Sequence, residues 1–151
     1  MQLTELLTTF LDQGKSGDLK TASYPKERAG FAMKTSFGMG APARVPWIAF
    51  TAPEIKVSNG FYPVYLYYKA LDKLILTYGI SEGSDHLASW PEAAIADCQL
   101  ISDYTDNEAP RYGDSYVFAA YEIAERNSVT RVVDANGAPI SNDTLEKHLD
   151  S

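Results

Sequence analysis

TSFGMGAPARVPWIAFTAPEIKVSNGFYPVYLYYKALDKLILTYGI, residues 35–80, contains three segments that read as β-strands. Val45–Thr51 is the first, with Pro46 pushing it toward a sheet edge or a bulge, since proline has no N–H to offer a ladder. Phe61–Lys69 is the second, rich in aromatic residues that suit a pleated surface. Lys73–Ile80 is the third and pairs with it through the short Ala70-Leu71-Asp72 connection. Ser58-Asn59-Gly60 reads as a turn, because Asn-Gly takes positive φ readily. Alternation with period two sets Tyr62, Val64, Leu66 and Tyr68 on one face of the second strand. Tyr62 and Leu66 are therefore neighbours on one side. Upstream, Phe31–Phe37 is a further candidate strand, and Gly38-Met39-Gly40-Ala41-Pro42 must be loop.

The flanks add helices. Leu3, Leu6, Leu7, Phe10 and Leu11 repeat at helical spacing, which predicts an amphipathic helix over 2–13 ended by Gly14 and Gly17. Pro91 opens a predicted helix over Glu92–Tyr104, with Ala94, Ile95, Cys98 and Ile101 facing inward. Val117–Ala124 reads as a fourth strand, with helix as the alternative. Asn136-Gly137 is another turn, and Ser141-Asn142-Asp143 looks like an N-cap for a helix over Thr144–Leu149. The order of elements predicts a single α+β domain with a mostly antiparallel sheet flanked by helices. The expected boundaries are a domain over residues 1–126 and a C-terminal extension over 127–151. That extension holds a turn and a truncated helix leading toward a missing downstream domain.

Composition narrows the function classes. Cys98 is the only cysteine, so no internal disulfide can form, and a reducing, cytoplasmic setting is expected. The N-terminal run MQLTELLTTFLDQGK lacks the pattern of a signal peptide, and no apolar run is long enough to span a bilayer. The net charge of −7 argues at first sight against a nucleic-acid partner. Its distribution matters more, because phosphates meet a local surface. Residues 1–44 carry Lys15, Lys20, Lys26, Arg28, Lys34 and Arg44 against Glu5, Asp12, Asp18 and Glu27. Between Glu82 and Glu125, Arg111 is the only base among ten acids. The bases cluster around the glycine loop, and Lys34, Arg44 and Lys69 are candidate phosphate contacts.

Catalytic chemistry finds no foothold. His86 and His148 stand alone, without a second ligand at metal-binding spacing. Glu54 and Lys56 imitate half of a metal-dependent nuclease site, but no acid lies between Arg28 and Pro53 to share the metal. Asp103, Asp106 and Glu108 lack the ligand ladder of a calcium loop. Neither GxxxxGK[ST] nor GxGxxG occurs, so no phosphate cradle is visible. The chain is expected to be no enzyme, with no metal and no cofactor. Its two Trp, ten Tyr and six Phe are more telling. Trp47, Tyr62, Tyr67 and Tyr78 read as core packing in the simplest case. The sharper alternative is that Trp47, Tyr62 and Tyr112 wall a slot for an extruded nucleobase. Glycines on both sides of Met39 put an apolar tip on the loop, the kind of side chain used as a wedge between base steps.

A series of short blocks occurs in one order: Ser36-Phe37-Gly38-Met39-Gly40, Val45-Pro46-Trp47-Ile48-Ala49-Phe50, Ser58-Asn59-Gly60-Phe61-Tyr62-Pro63-Val64, Leu66-Tyr67-Tyr68-Lys69, Leu76-Thr77-Tyr78-Gly79-Ile80-Ser81 and Tyr112-Gly113-Asp114-Ser115-Tyr116. In this it resembles the N-terminal DNA-recognition domains of the McrB family of modification-dependent restriction systems. The likeness covers roughly residues 1–120 and is densest between Thr35 and Ser81. It implies a reader of double-stranded DNA that rotates a 5-methylcytosine-type base into an aromatic pocket. By that resemblance Trp47, Tyr62 and Tyr112 are the walls, and Leu66 lies beside the base and influences which 5-substituent fits. The loop residues Ser36, Gly38, Met39 and Gly40 flank or fill the gap, with Met39 replacing an aromatic tip. In the full-length setting the implied partners are a GTPase motor and a nuclease subunit. No membrane is involved, and the isolated domain is expected to be a monomer. Two alternatives remain: the same fold reading 5-hydroxymethylcytosine or N6-methyladenine, or a protein-interaction module using the acidic face.

Overall fold

A computed structural model describes residues 2–28, 30–51, 61–80, 98–106, 108, 111–112, 115–126, 129–134 and 140–141. The first element is helix α1, Leu3–Ser16, which buries Leu3, Leu6, Leu7, Phe10 and Leu11 as their spacing requires. These five side chains contribute on the order of 10 kcal/mol of transfer energy as an upper bound. A 14-residue helix is marginal alone, so packing holds it. It runs past Gly14, the first of the two glycines expected to end it, and stops at the second. Gly14 lies inside the last turn because the Tyr67 ring crosses there, and a Cβ would stand 2.9 Å from that ring. Gly17, with φ of 81°, is the actual stop.

Strands follow as β1 (Glu27–Arg28), β2 (Phe31–Ser36), β3 (Trp47–Thr51), β4 (Phe61–Tyr68), β5 (Lys73–Ile80), β6 (Tyr116–Arg126) and β7 (Val129–Val133). They form one sheet in sequence order, and every neighbouring pair is antiparallel. This is an α+β domain dominated by an antiparallel sheet. A 3₁₀ turn at Lys69–Leu71 and Asp72 in the left-handed region join β4 to β5. β3 is an interior strand, not an edge: Pro46 stands just outside it, and its carbonyl accepts a hydrogen bond from the Tyr67 amide at 2.9 Å. Val117–Ala124 resolves as strand, inside the longer β6. The two-residue β1 and strand β7 were not expected. β7 lies beyond Arg126, yet it pairs with β6, and Val132 and Val133 are buried.

The predicted helix over Glu92–Tyr104 is corrected at its described end. Leu100 is extended and bridges Tyr116, while the Ile101 amide donates to the Ser115 carbonyl at 2.9 Å. Sheet-type bonds at 99–101 thus replace the helical ladder there, and among the described residues of that stretch the helix, α2, covers Ile101–Tyr104. Ile101 does point inward. Residues 52–60 and 81–97, and the readings at Asn136-Gly137 and Thr144–Leu149, lie outside the described residues.

The middle of the sheet is buried on both faces. Tyr65 and Tyr67 join Met33, Ile48, Leu74 and the α1 side chains in one cluster. Tyr62, Val64, Leu66 and Tyr68 point the other way and pack with Val45, Ala49, Ile75 and Ile101. Strands covered twice lose the apolar–polar alternation of one-sided sheets. That accounts for the unbroken aromatic run in β4.

Exchanging glycine for alanine inside a helix ordinarily stabilises it by about 1 kcal/mol. Gly14→Ala is expected to do the opposite, costing about 1–3 kcal/mol in urea denaturation, because its methyl group must displace the buried Tyr67 ring. A rise in stability would mean that the helix–sheet contact is looser than described.

Candidate nucleic-acid interface

The face of the sheet opposite α1 gathers the residues singled out by sequence. The register sets Ser36 opposite Trp47, Trp47 opposite Leu66, Leu66 opposite Ile75, and Ile75 opposite Ala120. Directly opposed residues share a face, so these five side chains form one row across five strands. The next row is Lys34, Ala49, Val64 and Thr77. Tyr62 stands one row further, roughly 13 Å from Leu66 along β4, opposite Gly79.

Tyr112 arrives from a distant part of the chain. It packs half-buried against the same cluster as Trp47, Tyr62 and Leu66. Its backbone is left-handed, with φ of 62°, a conformation that a bulky residue adopts only when its surroundings impose it. Two contacts hold it: the Arg111 guanidinium lies 4.7 Å from the Tyr112 ring centroid, and the Tyr68 hydroxyl donates to the Arg111 carbonyl at 2.9 Å. Leu66 is 1% exposed and lies at the floor of the cluster, and Tyr62 is nearly as covered. Trp47 and Tyr112 keep accessible surface. Tyr67 belongs to the helix-side core, as the packing reading of the aromatics expects.

The glycine loop has a fixed root and a free tip. Phe37 is buried, with its ring 5.3 Å from Phe10 and 5.7 Å from Tyr24. The Ala43 amide donates to the Phe37 carbonyl at 2.8 Å, and the Gly38 amide donates to the Ser36 hydroxyl at 3.3 Å. Gly38 has φ of 118°, and a Cβ there would lie 2.2 Å from the Ala41 carbonyl oxygen. Gly40 has φ of 75° with open space around it. Met39 is 96% exposed at the tip.

The cations divide into engaged and available ones. Lys73 forms a 2.7 Å ion pair with Glu122, and that hydrogen bond holds its ammonium above the ordinary lysine range. It is therefore neutralised within the fold. Lys34 is exposed on the same face as Trp47, one row away. Arg44 is exposed where the loop turns toward β3, and Lys69 is half-buried on the 3₁₀ turn. Sequence reasoning missed Arg111 and Tyr68 as supports of Tyr112. No local motif signals Tyr68, because its bond to the Arg111 carbonyl spans 43 residues.

The MrcB-like N-terminal domain family matches residues 7–104, a segment that contains Trp47, Tyr62 and Leu66 and stops short of Tyr112. The Type IV methyl-directed restriction enzyme EcoKMcrB subunit of Escherichia coli strain K12 is 36% identical over 115 residues. That alignment covers 74% of this chain and 25% of the relative, so the chain spans about a quarter of the relative's length.

The two loop glycines should respond differently to a methyl group. Gly40→Ala is expected to cost about 1 kcal/mol, the strain of a left-handed alanine. Gly38→Ala is expected to cost more and to speed hydrogen exchange at the Ala43 amide, since the new Cβ forces the turn open. Equal effects would show that the turn around Gly38 is not closed as described.

Proposed function

The chain belongs to the MrcB-like N-terminal domain family, and from that premise we propose that it reads a modified base in double-stranded DNA. The mark is of the 5-methylcytosine type, and the base leaves the duplex to enter the face opposite α1. Trp47, Tyr62 and Tyr112 stack on it, and Leu66 meets the 5-substituent. Met39 fills the gap in the duplex, and Lys34 meets a backbone phosphate. The observation that carries this reading is the row Ser36–Trp47–Leu66, which aligns the loop root, an accessible ring and an apolar floor on adjacent strands.

Energetics require that combination. Extruding a base costs a few kcal/mol, whereas stacking on one aromatic wall returns about 1–3 kcal/mol. One exposed tryptophan would leave the balance near zero. Several walls, a filled gap and backbone contacts make it favourable. A methyl group against Leu66 adds about 0.8 kcal/mol of apolar burial, an upper-end figure for a single carbon. Discrimination must therefore also draw on the fit of the whole slot. Within a full-length protein the module would direct a GTPase motor and a nuclease subunit to marked DNA, and it would carry no catalytic step of its own.

Trp47→Ala tests the slot. The variant is expected to bind modified and unmodified duplexes equally, through weak contacts that fade as salt is raised. A matching thermal melt would establish that the fold persists, as expected for a half-buried side chain. A variant that kept the parent's preference for the modified duplex would exclude Trp47 as a wall.

A further inference from the structure

Arg44, Lys69 and Glu108 line a cavity of about 460 Å³, together with Tyr68 and the apolar side chains of Pro42 and Leu71. It lies where the β2–β3 connection meets the turn after β4. Tyr68 shares the face of Leu66 and stands two residues further on, roughly 7 Å along the strand. Pro42 and Arg44 follow directly from the Gly38-Met39-Gly40 turn and lead into Trp47. The cavity is therefore bounded by the segment that carries the loop tip and by the strand that carries the slot floor.

Its charge is unbalanced. Among the described residues, neither Arg44 nor Lys69 has an ion-pair or hydrogen-bond partner for its side chain, in contrast to Lys73. Glu108 faces the same space without bridging to either. Two cations and one carboxylate leave a formal charge of about +1, which calls for a single negative charge. A phosphodiester carries one, whereas a phosphomonoester carries about −1.5 to −2 at neutral pH. The apolar walls suit a deoxyribose better than water.

We propose that this cavity seats the sugar-phosphate link next to the extruded base, with Arg44 and Lys69 on the phosphodiester and Pro42 and Leu71 against the sugar. This rests on the base-extrusion reading above. Rotating a nucleotide about its backbone takes the adjoining phosphates off the regular helical path. Contacts made only in that displaced position stabilise the extruded state selectively, as contacts to regular duplex phosphates do not.

The test replaces single phosphates by uncharged methylphosphonates, on either side of the modified cytosine, and titrates the whole chain and an Arg44→Gln/Lys69→Met variant. For the parent, one of the two replacements is expected to weaken binding about tenfold, while the variant loses less than about twofold from the same replacement. The variant's slope of log K against log salt is expected to be shallower by roughly one to two. Arg44→Lys should stay sensitive to the replacement, and matching thermal melts exclude misfolding. A parent that prefers modified DNA but ignores both replacements, or a variant that loses as much as the parent, overturns the cavity assignment alone. A parent with no preference for modified DNA overturns the base-extrusion reading and the cavity assignment with it. Displacement of the modified duplex from the parent, but not the variant, by millimolar inorganic phosphate or deoxycytidine monophosphate would assign the cavity to free phosphomonoesters instead.

Discussion

Burial of β4 on both faces is the constraint from which the rest of the domain follows. On one side Tyr65 and Tyr67 are locked into the helix-side core, where Tyr67 passes over Gly14 and meets Phe10. Shifting the strand by one residue would reverse every side chain and put Tyr62 and Leu66 against the helix. The α1 contact therefore fixes register, and register fixes what faces Trp47 on the far side. The helix packs on the other face of the sheet, yet it aligns the candidate interface. Among the described residues, the β2–β3, β3–β4 and β4–β5 ladders carry that alignment from Ser36 to Ile75.

The same strand shows where sequence was informative. Period-two alternation was enough to pair Tyr62 with Leu66 on one face, and the helical repeat of α1 was enough to name its buried side chains. Both signals are local and repeat several times. The end of α1 was misread because a glycine that ends a helix and one that makes room for a ring look alike in sequence; only Tyr67 tells them apart. Residues 98–100 were misread because an apolar run suits a helix or an extended segment equally, and the backbone of β6 decides. Strand β7 lies in a short stretch rich in β-branched residues and forms through its pairing with β6. For the candidate interface, no local pattern shows that Tyr112, from a distant part of the chain, packs against the same cluster as Trp47.

An acidic domain of net charge −7 is an unexpected DNA reader only if charge acts as a total. The cations proposed to meet phosphates, Lys34, Arg44 and Lys69, lie on or beside the face that carries Trp47, whereas Lys73 is paired with Glu122. A net negative charge weakens indiscriminate binding to duplex phosphates, which depends on basic side chains releasing counterions. In the proposed reading, affinity comes instead from contacts present only when a base has left the stack, to which the aromatic face, the rooted loop with its exposed Met39 tip and the cavity beside Arg44 and Lys69 would contribute.

The central claim is that this face distinguishes a modified base from an unmodified one. The most direct measurement is a fluorescence-anisotropy titration of two duplexes identical except for one 5-methyl group on a cytosine, at one moderate salt concentration. Clearly tighter binding to the methylated duplex is the result the account predicts. Equal binding would contradict a 5-methylcytosine reader and point to another mark. Absence of binding to both, even at low salt, would contradict a DNA-reading role altogether.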